Sequence, residues 1–188
     1  MQRICVYCAS SPGIRPDYGD AARALAAELV QRGYELVYGG SSVGIMGVLA
    51  DAVLEHDGLV HGVIPELLIE KEVSHDGLTQ LHVVRSMHER KALMESLADA
   101  FIALPGGFGT LEELVEILTW GQLHIHSKPV GILNVASYYD SLLSYLDHAV
   151  AEGLLTAASR AMLHSSADPA TLLEMFQSYV PPQADKWQ

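Results

Sequence analysis

The stretch Ala100-Phe101-Ile102-Ala103-Leu104-Pro105-Gly106-Gly107-Phe108-Gly109-Thr110-Leu111-Glu112-Glu113 decides the fold. Ala100–Leu104 is an apolar run of strand length, the glycines interrupt it, and Leu111–Leu123 continues with helical periodicity. Strand, glycine-rich turn and helix make half of a βαβ unit. The same alternation repeats toward the N-terminus. Arg3–Cys8 and Tyr34–Tyr38 read as strands, separated by a helix whose apolar face is Ala22, Leu25, Ala26, Leu29 and Val30, with Gly33 as its stop. Gly39-Gly40-Ser41-Ser42-Val43-Gly44 then leads into a helix from Ile45 to His56, and Leu59–Ile64 is the next strand.

Beyond Glu66–Thr79, which has no clean period and reads as a loop or short helical excursion, the alternation resumes. Leu81–Val84 is a strand and Ser86–Leu97 a helix; after the Leu111–Leu123 helix come a strand, Pro129–Val135, and a helix, Tyr138–Glu152. Asp168-Pro169 has the form of an N-cap with proline at N1 for a last helix, Ala170–Tyr179, and Pro181–Gln188 is a polar tail. Such an order predicts an α/β fold: a single doubly wound, Rossmann-like domain over 1–180, with a mostly parallel sheet flanked by helices. A chain of 188 residues, 49% hydrophobic, suits one domain and one core.

Composition removes several function classes. Eleven Lys and Arg against 23 Asp and Glu give a net charge of −12, the wrong sign for wide contact with nucleic acid or an anionic membrane. No apolar run approaches the ~20 residues of a membrane helix, and the opening is too short for a signal peptide, so a cytoplasmic protein is expected. Cys5 and Cys8 form a C-x-x-C pair, but they lie on or at the end of the first strand rather than opening a helix, and read as core thiols. Among the nine histidines, His124-x-His126 lacks a third ligand at zinc spacing, and no metal is expected.

The chemistry gathers at two glycine-rich loops. Each joins a strand end to a helix start, where backbone N–H groups and the helix dipole attract phosphate. Gly39, Gly40, Ser41 and Gly106 are thus phosphate-cradle candidates. Neither loop fits a familiar nucleotide motif: Ile45 stands where a P-loop needs lysine, and G-x-G-x-x-G is missing after the first strand. Ser86 and Glu89 match a capping box. Arg90 shares a helix face with Met87, Leu93, Met94 and Leu97, so its guanidinium must either snorkel to water or meet an anion. Glu113 has two readings: it closes a second capping box with Thr110, or its carboxylate stands beside the cradle.

Taken together, these residues resemble the Lonely Guy family, cytokinin-activating phosphoribohydrolases often labelled "lysine decarboxylase-like". Its P-G-G-x-G-T-x-x-E motif stands as Pro105 to Glu113, and its M-H-x-R-K segment as Met87 to Lys91. The resemblance runs to about Gly153, with Ser41 where the family usually has a third glycine. It implies hydrolysis of the N-glycosidic bond of a purine riboside 5′-monophosphate, a cytokinin nucleotide or AMP, without a cofactor. Arg90 and Glu113 match the catalytic pair. Glu72, Lys91, Gly107, Phe108, Gly109, Thr110, Leu111, Glu112 and Thr119 match positions that contact the nucleotide. A homodimer with the site near its interface is implied as well. The rival reading is a nucleotide- or cofactor-binding carrier of the same fold without turnover. Binding phosphate alone does not explain Glu113, which favours the enzyme. Pyridoxal-dependent decarboxylation is disfavoured, since of four lysines only Lys91 falls near the site.

Overall fold

Ile4 to Tyr7 are all buried, Ile4 and Val6 toward one face of the sheet and Cys5 and Tyr7 toward the other. Burial on both faces is why this run is apolar throughout, as a central parallel strand requires. A computed structural model describes residues 1–69 and 73–182. Seven parallel strands are ordered β4-β3-β2-β1-β5-β6-β7. They are β1 (Arg3–Tyr7), β2 (Glu35–Tyr38), β3 (Val60–Pro65), β4 (Gln80–Val84), β5 (Ala100–Ala103), β6 (Val130–Leu133) and β7 (Leu163–Ser166). Between them run α1 (Pro16–Gln31), α2 (Gly44–Glu55), α3 (Met87–Leu97), α4 (Phe108–Gln122), α5 (Asp140–Ala151), α6 (Ala157–Ala161) and, last, α7 (Pro169–Gln177). Helices α1, α2 and α7 bury Leu25, Leu49 and Leu172 against one face; α3 and α4 bury Met94, Leu114 and Ile117 against the other.

The doubly wound α/β expectation holds, and three local expectations change. Strand β7 and helix α6 went unread, because Leu163-His164-Ser165-Ser166 is an edge strand with one neighbour and a half-buried, polar sequence. Tyr138 and Tyr139 precede α5 rather than opening it, since Ala136 (φ 49°) and Ser137 (φ 62°) turn the chain through left-handed backbone. Helix α4 starts at Phe108 with Gly107 as N-cap, so Thr110 is its third residue and no capping box forms with Glu113. By contrast, Ser86 Oγ accepts from the Glu89 amide at 3.1 Å, and Asp168 Oδ2 from that of Thr171 at 2.8 Å, as the sequence predicts.

Cys5 and Cys8 belong to opposite core layers, and burial pushes both thiols up, which keeps them protonated. His124 and His126 also part company, His124 exposed and His126 8% exposed. His126 Nδ1 accepts from the Lys128 amide at 3.1 Å, so its Nε2–H donates to the Ile117 carbonyl at 2.8 Å. A second ring proton would face the Lys128 N–H. Burial holds His126, and likewise His82 and His164, below the usual histidine range. Their folded-state pKa values lie below the unfolded value near ~6.5, so the unfolded chain binds more protons as pH falls. Stability is therefore expected to be full above about pH 6.5 and to drop below it, by up to about 1.4 kcal/mol per pH unit for each group. Thermal melts from pH 7.5 to 5 check this. A His126→Gln variant should melt lower at pH 7.5 yet lose less on acidification; an equal slope would exonerate His126.

Candidate active site

Strand order reverses between β1 and β5, and in an open parallel sheet ligands bind at the carboxyl ends flanking such a switch point. A cavity of about 350 Å³ opens there. Its floor is the end of β1 and the loop behind it, from Val6 to Ser11, and one wall is Gly39, after β2. The opposite wall is the start of α4: Gly107, Phe108, Gly109, Thr110, Glu112 and Glu113. Arg90 of α3 reaches in between Met87 and Met94, with Leu68 at the rim.

Arg90 resolves its own ambiguity: it does not snorkel. It is 6% exposed, and Nη2 donates to the Gly39 carbonyl at 3.1 Å while Nε has no hydrogen-bond partner. Gly39 leaves the room that guanidinium occupies, since a Cβ there would run into Arg90 Nη2 and Met46 Sδ. Glu113 enters from the other wall and is half-buried. Both charges are felt at one place: at the Cys8 thiol, Glu113 pushes the pKa up and Arg90 draws it down. The cavity thus holds a cation and a carboxylate facing the end of β1.

The cradle has matching geometry. Gly107 N-caps α4 with no side-chain bond to the first-turn amides. A Cβ at Gly107 or Gly109 would meet nothing within 4 Å, so both glycines border open space. A Cβ at Gly106 would instead strike Thr110, whose buried side chain packs under that turn. N–H groups at a helix start that no side chain caps attract anions.

The remaining expected residues disperse. Lys91 Nζ is held by Glu112 and by Glu116 at 3.0 Å, tying α3 to α4. Burial opposes its charge, but those two hydrogen bonds outweigh burial and raise its pKa. Leu111 packs on the core, and Thr119 donates to the Val115 carbonyl at 2.7 Å beside a separate apolar groove. Gly106 borders a second groove, next to the cavity. Gly40 and Ser41 turn inward: Gly40 (φ 78°) packs on Ile64 and Leu81, and fully buried Ser41 takes the Tyr38 hydroxyl on its carbonyl at 3.2 Å. Of the first cradle only Gly39 borders the cavity. Glu72 lies outside the described residues. The Ser10-Ser11 floor was missed, although its place after the first strand, at the switch point, was the available signal.

Fold and site together define a doubly wound α/β protein with a glycine-bordered cavity at its switch point. The family profile described as "Possible lysine decarboxylase" matches residues 46–176, and the chain belongs to that family. A cytokinin riboside 5′-monophosphate phosphoribohydrolase of Arabidopsis thaliana is 50% identical over 187 residues, 98% of this chain and 87% of the relative. One from Oryza sativa subsp. japonica is 51% identical over 183 residues, 96% of this chain and 75% of the relative. Among solved structures, the molybdenum cofactor carrier protein of Chlamydomonas reinhardtii superposes with a TM-score of 0.69 at 20% identity, covering 95% of this chain and 99% of its own. The molybdenum cofactor binding protein of Rippkaea orientalis gives 0.71 at 22%, covering 94% and 96%. Those two likenesses are of fold.

Proposed function

We propose that this protein hydrolyses the N-glycosidic bond of purine riboside 5′-monophosphates, AMP and its N6-prenylated cytokinin counterparts, to free base and ribose 5-phosphate. One observation carries the reading: Arg90, Glu113 and the Gly107–Thr110 cradle share a single cavity. Its relatives' names point the same way.

In this reading the 5′-phosphate sits on the amides that open α4, which sets C1′ between the two charged side chains. The C1′–N bond breaks with its electron pair leaving on the purine. Glu113 stabilises the oxocarbenium-like sugar and orients the water whose oxygen bonds to C1′. Arg90 donates a hydrogen bond to the developing negative charge on the base; the base's new proton comes ultimately from water. The Met87 and Met94 side chains offer an adaptable apolar surface to the purine.

Lysine decarboxylation does not fit this site. A Schiff base needs a neutral amine, and Lys91 is held charged between two carboxylates. Lys128 is bound to Glu95 at 2.6 Å, away from the cavity, and Lys71 and Lys186 lie outside the described residues.

The reading includes one domain over 1–180, a cytoplasmic setting and a homodimer. No helix among the described residues is long and apolar enough to cross a membrane. Phe108, 94% exposed at the cavity mouth, together with exposed Val115, Leu123 and Ile125 along and just past α4, supplies an apolar face for a second copy. Chromatography of the protein incubated with AMP and, separately, with isopentenyladenosine monophosphate tests the activity. Free base in either tube is expected, and the ratio of rates names the preferred nucleotide; intact nucleotide in both would sink the reading.

A further inference from the structure

The turn between β6 and α5 contributes two hydroxyls to the strand-to-helix loop that forms the cradle. Tyr139, fully buried, donates to the Leu104 carbonyl at 2.6 Å. Tyr138 donates to the Gly106 carbonyl at 2.7 Å. The two rings meet edge to face at 5.1 Å, and Tyr138 is braced on its other side by Tyr18 at 5.7 Å. The backbone behind them is in unfavourable left-handed conformations at two non-glycine residues, Ala136 and Ser137. It is held there by Asn134, whose Oδ1 accepts from the Tyr139 amide at 2.7 Å and whose Nδ2 donates to Asp140 at 2.7 Å.

The Gly106 carbonyl and the Gly107 N–H belong to one peptide group, and the described chain has no cis bonds. In a trans peptide these two groups point in opposite directions. Fixing the carbonyl on Tyr138 therefore fixes where the Gly107 N–H points. Tyr138 and Gly106 border the second groove, and Gly107 stands on the boundary between that groove and the cavity. With neither a side chain nor a neighbour within 4 Å of its Cβ position, Gly107 has little else to hold its peptide in one orientation.

We propose that Tyr138 is a positioning residue: by holding the Gly106 carbonyl it aims the Gly107 N–H into the cavity, where it receives the substrate's 5′-phosphate. The inference rests on the phosphate placement proposed above and adds a residue outside the cavity to it. Tyr138→Phe removes the hydroxyl and leaves the ring between Tyr18 and Tyr139.

The test uses the full chain and three readouts: the kinetics of base release from AMP, inhibition by ribose 5-phosphate, and the melting temperature. Tyr138→Phe should raise KM and the ribose 5-phosphate inhibition constant together, by about three- to tenfold, the range of one lost hydrogen bond to a charge-binding group. Its kcat should stay within about twofold and its melting temperature close to wild type. Tyr139→Phe, which leaves the buried Leu104 carbonyl unpaired, should instead lower the melting temperature. An unchanged KM and inhibition constant in Tyr138→Phe overturns the assignment, as does a loss confined to kcat or to stability. A wild type that ignores ribose 5-phosphate and cleaves adenosine as well as AMP overturns the phosphate placement itself, and is seen before any variant is made.

Discussion

Glu113→Gln is expected to cut adenine release from AMP by about 10²- to 10⁴-fold while nucleotide affinity stays within a few-fold. The substitution is nearly isosteric, and Glu113 sits in the sixth position of α4, so neither the helix start nor the Gly107 cap depends on its charge. What it removes is the negative charge opposite Arg90. An oxocarbenium-like sugar carries positive charge only in the transition state, so the loss should fall on kcat and leave ground-state binding of the phosphate and purine largely intact. Chromatography of base release and calorimetric titration with AMP measure the two halves. Turnover within tenfold of wild type would remove Glu113 from the mechanism. Lost binding with turnover preserved at saturation would make it a binding group. A protein that binds AMP tightly with no turnover, wild type included, would be a carrier.

The electrostatics around Cys8 give a second view of the same substitution. Glu113 raises the Cys8 thiol's pKa, and Arg90 lowers it. Both charges therefore act at the end of β1, on the floor of the cavity.

Much of this is legible in the sequence alone. Central strands such as β1 and β5 are buried on both faces, which leaves a continuous apolar run in the sequence. Helices α1 and α2 carry one apolar face each, and Ser86 and Asp168 cap as their side chains dictate. The start of α4 was misjudged because Thr110 and Glu113 have capping-box spacing, whereas the Thr110 side chain is consumed in packing under Gly106. The resemblance puts Lys91 among the positions that contact the nucleotide, and nothing in its own helix signals how it is paired. Its partners Glu112 and Glu116 come from another helix, and only the packing of α3 on α4 brings them together. Tyr138 carried no signal at all. Its role depends on a hydrogen bond across 32 residues and on a left-handed turn at alanine and serine, for which no local rule exists.

Gly39→Ala is expected to lower kcat about 10²-fold without touching a charged residue. Arg90 arrives at the cavity across the Gly39 backbone, with Nη2 on the Gly39 carbonyl at 3.1 Å. The alanine methyl would occupy the space of the guanidinium and come within 2.8 Å of Met46 Sδ, itself buried beneath. The new methyl lies nearer the guanidinium than Met46 Sδ, so the arginine is the group that must move, and its donors leave their place against the leaving purine. Removing one preorganised donor typically costs 10²–10³ in kcat. Overpacking adds a destabilisation of about 1–3 kcal/mol, which melting curves read separately. The decisive comparison is with Arg90→Ala. If both substitutions act through the same guanidinium, the double variant Gly39→Ala/Arg90→Ala should be no slower than Arg90→Ala alone, because the second change has nothing left to displace. Independent, multiplying losses would mean that Gly39 acts on turnover by some route other than Arg90. A Gly39→Ala enzyme within threefold of wild type would mean that the guanidinium has room to work from elsewhere in the cavity.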